Sequence, residues 1–591
     1  MSDITHWCQT SRVRQFTLGS DMLVPDMDLK ICHSFMWHFS PRAFLCVCPS
    51  FFNGVRHNAL VSDMISSRAA FIVLAAVKLK LRNIRGVDMD INEMLVQITG
   101  DIDTWMYTYV LLILLVAVGI YFSFKTRFVQ IRFIGDMFRQ VTEKKHVEGE
   151  RSISSFQALM VSTASRVGTG NIAGVASAIA GVVGAGATGG AGAIFWMWAM
   201  ALVGAASAFI ESTCAQIWKV KDGEGAFRGG PAYYIEQAIG SRKFGVLFAI
   251  LLILCFAFGF NGLQAFNACS SLEYYMPDYQ TNGGAMIVGF ILVLMTAAVI
   301  FGGAKRISVI TSIVVPIMAF AYIAVAIWTT IIFADYIPQM FQAIFAAAFD
   351  WQAIFGGFTG SVIMLGIKRG LYSNEAGMGS APNAAATASV SHPVKQGLVQ
   401  SLSVYIDTLL ICSCSAVIVC LFLVQDPETA LQFKGIPLVQ QAVQNSIGPI
   451  GIHFITFAIF AFAYSSLIGN YFYAESNFKF ITKNKNALIV FRFLCLAAIL
   501  YGAVNSFDLA WNLADIFMGL MAMMNLIVIL IIGKWAILAL KDYEKQKKEG
   551  KDPVFFASSI PGLPACDCWH EEHIPEIGEP VKEFFVDPLS K

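Results

Sequence analysis

The sequence predicts an all-α protein that crosses a membrane about eleven times. Of its 591 residues, 56% are hydrophobic and only 14% are charged, whereas a soluble domain usually carries about 25% charged residues. Apolar runs long enough to span a bilayer recur from Trp105 onward, and they are too long for the strands of a membrane barrel. The net charge of +1 argues against a nucleic-acid partner and leaves the lipid bilayer as the expected surroundings.

The predicted spans follow one another along most of the chain. They cover residues 105–123, 154–180, 191–218, 243–264, 284–303, 307–333, 351–375, 396–424, 451–475, 486–504 and 508–533. Removing the first span leaves ten, which divide into two halves of five. Because five is odd, the second half is expected to be an inverted repeat of the first.

The first 88 residues differ from the rest of the chain. They are rich in Arg, Ser and Cys, and their one apolar run, Ala69–Val77, is too short to span a bilayer. We interpret residues 1–88 as an unstructured or non-native extension before a start at Met89, with a genuine accessory segment as the alternative. Residues 89–545 would then form the transmembrane domain and residues 546–591 a cytoplasmic tail.

Lysine and arginine are concentrated in alternate loops. The basic loops include KTRFVQIRF, KVKDGEGAFR, GGAKR, KRGLYSNEAG with HPVK, and KFITKNKN, whereas the loops between them, such as SSLEYYMPDYQTN, have neither residue. Basic loops stay on the cytoplasmic side of a membrane. The alternation therefore predicts a plasma-membrane protein (the inner membrane in a bacterium) with its carboxyl terminus in the cytoplasm.

Two predicted spans, the first and sixth of the ten, are interrupted by glycine and small polar residues. One contains SRVGTGNIAG (165–174), and the other contains GGFTGSVIMLG (356–366), where Thr359, Gly360 and Ser361 mark the break as candidate substrate ligands. An unwound helix frees backbone groups that lipid cannot satisfy. Paired breaks are typical of the substrate site of secondary transporters, although the glycines could instead serve close helix packing.

Residues at the first break have the chemistry to bind a substrate and a cation. Thr169, Gly170 and Asn171 would present backbone N–H groups and side chains to a carboxylate, as half-helix N-termini do. The Asn171 side-chain oxygen could instead face a cation. The carbonyls of Ala164 and Val167 are candidate Na⁺ ligands, because hard cations prefer oxygen.

Four segments resemble signatures of the alanine/glycine:cation symporter family. They are ASRVGTGNIAGVASAI, GAIFWMWAMALVGAASAFIEST, GGPAYYIE and KRGLYSNEAGMGSAPNAAATA. The resemblance covers about residues 90–560, although GVVGAGATGGAGA (181–193) looks longer than the family's usual connection. It implies sodium-coupled uptake of small neutral amino acids, alanine or glycine, and a fold similar to the bacterial leucine transporter. It also supports Thr169 and Gly170 directly as substrate ligands.

The resemblance implies roles for four residues outside the breaks. Gln264 is expected at the end of the third core helix, where its amide could bind either the carboxylate or the ammonium group of an amino acid. Alternatively, Gln264 only marks a helix end that faces water. Ser465 and Ser466 in the eighth core helix would lie opposite the first break and complete a sodium site. Asn470, four residues after Ser466, falls on the same helix face and would contact the substrate.

Several charged residues lie within predicted spans, among them Arg166, Glu211, Asp407, Glu475 and Asp515. Charges at such depth are usually paired and functional, so coupling and purely structural ion pairs both remain open. The acid that pairs with Arg166 does not follow from the sequence. In the tail, CDCWHEEH places Cys566, Cys568, His570 and His573 close enough to consider zinc, although C-x-C is tighter than usual zinc spacing.

A sodium-coupled symporter is the leading functional hypothesis, with a proton-coupled amino-acid symporter and a channel as alternatives. A channel needs a continuous pore lined by repeated filter residues, and the breaks here are paired. A proton-coupled carrier needs a titrating group in its site, and none of the acids is clearly placed there. The chain lacks the H-E-x-x-H, G-x-S-x-G and phosphate-loop motifs, which argues against an enzyme and against ATP-driven transport. We expect no cofactor besides Na⁺ as the coupling ion.

Overall fold

Helices form almost all of the structure. This computed structural model describes residues 91–143, 153–181, 189–222, 226–350, 361–504 and 507–570. Eight helices in these ranges are long and apolar enough to cross a membrane, and the shorter apolar helices Thr169–Ala180 and Gly284–Ile300 accompany them. The strands of the described ranges form one antiparallel hairpin, in which Val220 pairs with Arg228. The predicted all-α membrane class is confirmed.

The first long helix begins earlier than hydropathy predicts. It consists of α1 (Ile91–Met106) and α2 (Leu112–Lys125), joined by one π-helical turn. The polar residues of α1 are helical because they pack against the last helix of the chain, where Asn512 Nδ2 donates to the Val96 carbonyl at 3.2 Å. A sharp turn then leads to the short helices α3 (Val129–Arg132) and α4 (Ile134–Val141).

The rest of the chain forms two series of helices. The first comprises α5 (Ser155–Arg166), α6 (Ala173–Ala180), α7 (Gly192–Ile217), the hairpin β1 (Val220–Lys221) and β2 (Phe227–Arg228), α8 (Pro231–Tyr234), α9 (Arg242–Ile253), α10 (Asn261–Ser270), α11 (Gly284–Ile300) and α12 (Gly303–Ile332). The second comprises α13 (Ile337–Ala348), α14 (Val362–Asn374), α15 (Pro382–Ala385), α16 (Pro393–Val404), α17 (Ser413–Gln425), α18 (Pro427–Ala430), α19 (Gly435–Ile447), α20 (Ile450–Ile481), α21 (Lys485–Ala503) and α22 (Phe507–Lys548). The π-helical segments Leu254–Phe260 and Tyr405–Cys412 join α9 to α10 and α16 to α17 as continuous spans.

Each series contains an interrupted helix. The first interruption separates α5 from α6, as the sequence predicts. The second follows α14, where Glu375, Gly377 and Gly379 all have positive φ (54°, 83° and 82°). The Glu211 carboxylate of α7 accepts hydrogen bonds from the backbone N–H groups of Gly377 and Gly379 at 3.2 and 3.0 Å. This second turn is thus held by an acid from a neighbouring helix.

Close packing of α20 against α5 brings the first interruption next to α20. A Cβ atom on Gly469 would lie 2.7 Å from the Ser165 backbone nitrogen, so only glycine permits this approach. The approach places the neighbouring Ser466 and Asn470 beside the end of α5.

The described part of the tail folds back onto the ends of several helices. The Trp569 indole donates to the Gln216 carbonyl at 2.8 Å, and the Phe555 backbone N–H donates to the Ser391 carbonyl at 2.9 Å. His392 lies beneath this segment, where burial lowers the pKa of its imidazole. The tail therefore covers the junction between α7 and the start of α16.

Candidate functional site

The first interruption exposes backbone groups that side chains then satisfy. α5 begins at a capping box formed by Ser154 and ends at Arg166, after which Gly168 is extended (φ −128°, ψ −157°). The Gly168 N–H donates to Asn171 Oδ1 at 3.0 Å, and the Thr169 N–H donates to Gln264 Oε1 at 3.1 Å. Neutral amide oxygens thus occupy positions that a substrate carboxylate could take.

Aromatic side chains close over the interruption. The Tyr372 ring packs against Phe260 and Trp511, with ring centroids 4.8 and 5.3 Å away, and its hydroxyl accepts from Gln264 Nε2 at 3.3 Å. A Cβ atom on Gly170 would fall closer than 3.0 Å to this ring. Tyr372 lies in the signature segment KRGLYSNEAG, but sequence reasoning did not select it, because the segment reads as a loop.

The predicted sodium ligands are only partly brought together. Ser466 Oγ donates to the Ala164 carbonyl at 3.0 Å, so these two residues face each other across α5 and α20. Ser465 Oγ donates instead to the Phe462 carbonyl at 2.9 Å and lies 3.7 Å from Met318 Sδ. Val167 follows the last residue of α5 as its C-cap, and its own N–H donates to the Thr163 carbonyl.

Asp407 lies directly behind the interruption. Its carboxylate accepts from Asn171 Nδ2 at 2.6 Å, from Ser373 Oγ at 2.7 Å and from Thr408 Oγ1 at 2.8 Å. All four side chains are buried. Among the described residues, no Lys, Arg or His nitrogen lies within 4.0 Å of this carboxylate. We call these four residues the Asp407 cluster. Its carboxylate and the hydroxyls of Ser373 and Thr408 are oxygen groups of the kind that a hard cation prefers.

Arg166 is paired with an acid that sequence reasoning missed. Its Nε lies 4.0 Å from Glu375 Oε2, and its Nη1 donates to Ser403 Oγ at 2.6 Å. Glu375 also accepts from Ser165 at 2.9 Å and from Ser380 at 2.6 Å. The ion pair therefore links the two interruptions, and the signal for it was a lone acid between small residues in NEAGMGSA.

Asn470 belongs to the same polar region. Its Oδ1 accepts from Ser165 Oγ at 2.7 Å, while its Nδ2 donates to Asn261 Oδ1 at 3.1 Å. The structure therefore places Asn470 one turn beyond Ser466, where it joins α5, α10 and α20. Its side chain is satisfied by these protein groups.

The structure describes one residue of the predicted second break, Ser361, and that residue is extended (φ −70°, ψ 157°). Ser361 caps α14, where its Oγ accepts from the Met364 N–H at 3.3 Å. It precedes Tyr372 by eleven residues, which is about 16 Å along a helix, so it does not reach the first interruption. Thr359 and Gly360 lie outside the described residues. A further unwound turn, which the sequence did not predict, follows Asn374 at the other end of α14.

Two basic residues expected in a cytoplasmic loop are buried in α14. Lys368 Nζ lies 2.5 Å from Asp103 and 2.7 Å from Asp515, and Arg369 Nη1 lies 3.2 Å from Asp515. Lys368 and Arg369 therefore do not support the assignment of a basic loop to this part of the chain. Of the remaining charges within predicted spans, Glu475 pairs with Lys479 at 2.6 Å.

The tail motif shows no metal centre in its described part. His570 Nε2 lies 2.7 Å from the Cys566 carbonyl, and no cluster of three metal-ligating side chains occurs among the residues that the structure describes. His573 lies outside them. Burial raises the pKa of the Cys566 and Cys568 thiols to about 11, which disfavours the thiolate form that binds zinc.

Comparisons with known proteins identify relatives over most of the chain. A family model described as the sodium:alanine symporter family matches residues 91–557. The amino-acid carrier protein AlsT of Bacillus subtilis is 44% identical over 468 residues, which is 79% of this chain and 96% of the relative. The probable sodium/glutamine symporter GlnT of the same species is 43% identical, covering 81% and 96% of the two chains. The sodium/alanine symporter AgcS of Methanococcus maripaludis is 33% identical, covering 77% and 99%.

Solved structures are more distant. The crystal structure of MhsT in complex with L-phenylalanine is similar with a TM-score of 0.48 and 16% identity, covering 67% of this chain and 97% of that one.

Proposed function

The chain belongs to the sodium:alanine symporter family, and from that premise we propose that it carries alanine or glycine into the cell together with Na⁺. Membership makes the chain an integral membrane transporter that couples an amino acid to Na⁺ or H⁺, and not an enzyme. The choice of a small neutral substrate, the choice of Na⁺ and the inward direction are the proposal.

The Asp407 cluster is the observation that carries the choice of Na⁺. Three donors within 2.8 Å suit an ionised carboxylate better than a protonated one. A buried negative charge needs compensation, and a bound cation supplies it at this position. The Ala164 carbonyl and Ser466 hydroxyl offer further oxygen ligands on the other side of the interruption.

The first interruption supports a small substrate. Cβ atoms on Gly168 and Gly170 would lie closer than 3.0 Å to Gln264 and Tyr372 respectively. The space beside the freed N–H groups is therefore narrow. A substrate carboxylate that replaced Gln264 Oε1 would accept from the same Thr169 N–H. Because one relative is named for glutamine, the substrate test includes glutamine beside alanine and glycine.

Proton coupling is the second candidate, and one observation favours it. From the sequence alone no acid is clearly placed in the site, whereas in the structure Asp407 lies beside Asn171. A relative from Bacillus sp. PS3, 38% identical, is named a sodium/proton-dependent alanine carrier protein. Na⁺ remains the preferred ion, because the three hydrogen-bond donors directed at the Asp407 carboxylate favour its ionised form.

Uptake of labelled amino acids into proteoliposomes tests the proposal. We expect concentrative alanine uptake with an imposed sodium gradient at equal pH, and none with a pH gradient in sodium-free buffer. Uptake driven by the pH gradient alone would establish proton coupling, and equilibration without concentration would indicate a channel. Asp407→Asn should abolish sodium-driven uptake, whereas Asp426→Asn, an exposed matched control, should not.

A further inference from the structure

A basic pocket lies between the end of the first long helix and the end of the last. The cavity has a volume of about 450 Å³ and is bordered by the last residue of α2, the turn after it and the last turns of α22. Six basic side chains line it: Lys125, Arg127, Arg132, Lys541, Lys545 and Lys548. It is separate from the interrupted helices and from the Asp407 cluster.

Positive charge in this basic pocket is largely uncompensated. Two carboxylates also line it. Glu544 pairs with Arg132 at 2.7 Å, and Glu549 pairs with Lys551 at 2.8 Å. Among the described residues, the other five basic side chains have no carboxylate oxygen within 4.0 Å. The pocket therefore carries a surplus of positive charge that suits an anion.

The neighbouring surface is apolar, as expected at the edge of a membrane. Phe124 of α2 is 67% exposed, and Ile131, Ile134 and Phe138 of α3 and α4 are exposed as well. The turn that joins α2 to α3 has positive φ at Arg127 and Phe128, so α3 and α4 begin immediately beside the pocket. Exposed apolar side chains next to basic ones are typical of a helix that lies in the headgroup region.

We propose that the basic pocket binds the headgroup of an anionic phospholipid. The phosphate would lie among Lys541, Lys545 and Lys548, where charge-assisted hydrogen bonds to phosphate are available. The acyl chains would lie against the exposed apolar side chains of α2 and α3. Basic pockets between transmembrane helices bind such headgroups in other membrane proteins. The proposal does not depend on the substrate or the coupling ion.

Lipid binding to the purified full chain tests the proposal. The protein in detergent is titrated with phosphatidylglycerol or phosphatidylcholine, and bound lipid is counted by native mass spectrometry. The triple variant Lys541→Gln, Lys545→Gln, Lys548→Gln should weaken phosphatidylglycerol binding by on the order of 100-fold, because each basic residue near an anionic surface contributes about fivefold.

A matched control removes the same charge elsewhere. The triple variant Lys243→Gln, Lys483→Gln, Lys485→Gln changes three exposed cations at or beside the starts of α9 and α21 and should bind phosphatidylglycerol as the unmodified chain does. The charge-preserving replacement of the three pocket lysines by arginine should also retain binding. Equal thermal unfolding midpoints of all three variants show that each is folded.

Four results would overturn the proposal. These are unchanged phosphatidylglycerol binding in the pocket variant, an equal loss in the control variant, equal binding of phosphatidylcholine, or loss of phosphatidylglycerol binding in the arginine variant. Inorganic phosphate is added in a separate arm. If inorganic phosphate displaces phosphatidylglycerol when both are present at equal concentration, the pocket is a site for free phosphate instead.

Discussion

Replacing Gly170 by alanine tests the role of the first interruption directly. The new Cβ would fall closer than 3.0 Å to the Tyr372 ring. Gly170 is not among the glycines with positive φ, so alanine meets no backbone penalty and lack of space alone opposes it. Phe260 and Trp511 hold the ring on its other sides, and Gln264 holds its hydroxyl. The ring therefore has little freedom to move away.

The magnitude follows from the cost of overpacking. Forcing an extra methyl group into a packed region costs about 1–3 kcal/mol, which corresponds to a change of about 5- to 150-fold in an equilibrium constant. The cost falls on the arrangement seen here, in which Tyr372 packs over Gly170 beside the proposed substrate position. We therefore expect Gly170→Ala to raise the KM for alanine by a factor in this range, and Gly170→Val to abolish uptake while membrane expression stays normal.

Gly174 supplies the matched control for this prediction. It lies one turn later in α6, and a Cβ there would have its nearest neighbour, the Trp511 ring, at an ordinary 3.7 Å. Gly174→Ala should therefore transport with an unchanged KM. Addition of Tyr372→Leu to Gly170→Ala should recover alanine binding in part, because it removes the obstructing ring.

Initial rates of labelled alanine uptake in proteoliposomes, corrected for protein content, measure both variants. The reasoning is refuted if Gly170→Ala transports with the KM of the unmodified chain, or if Gly174→Ala is impaired to the same extent. The glycine would then serve helix packing alone.

Three further predictions concern other parts of the chain. Lys368→Met should lower the free energy of unfolding by about 3–5 kcal/mol, because it removes a cation buried against Asp103 and Asp515; thermal unfolding in detergent measures this. Thr169→Ala removes one hydrogen-bond acceptor and should weaken alanine binding by about 0.5–1.5 kcal/mol, read as a rise in KM. Deletion of residues 1–88 should leave sodium-driven uptake unchanged, since the segment contains no predicted span.

Each of these predictions has its own control. Lys479→Met breaks a more exposed ion pair with Glu475 and should cost at most about 1 kcal/mol; an equal loss in both lysine variants would contradict the buried-charge argument. Thr169→Ser keeps the hydroxyl and should bind alanine normally. Poor membrane insertion of the shortened chain would show that residues 1–88 have a role.

The sequence predicts those parts of the site that depend on local backbone chemistry. SRVGTGN combines glycine with small polar residues inside an apolar run, and the helix is interrupted there. The unwound turn after α14 was not predicted, because the Lys368–Glu375 region is too polar for a hydropathy reading and its cations are paired with acids distant in sequence, such as Asp515. Pairs so far apart in sequence, including Arg166 with Glu375, come from tertiary packing that one sequence does not reveal.

The two interruptions differ in what holds their backbone N–H groups. In the first, a neutral amide from Gln264 accepts from Thr169, while in the second the carboxylate of Glu211 accepts from two glycines. An incoming carboxylate can replace a neutral amide with a gain in electrostatic energy, but it cannot replace an acid that the protein already supplies. The second interruption thus has a permanent anionic partner within the protein, whereas the partner at the first is a neutral amide that a substrate carboxylate would replace under the proposed function.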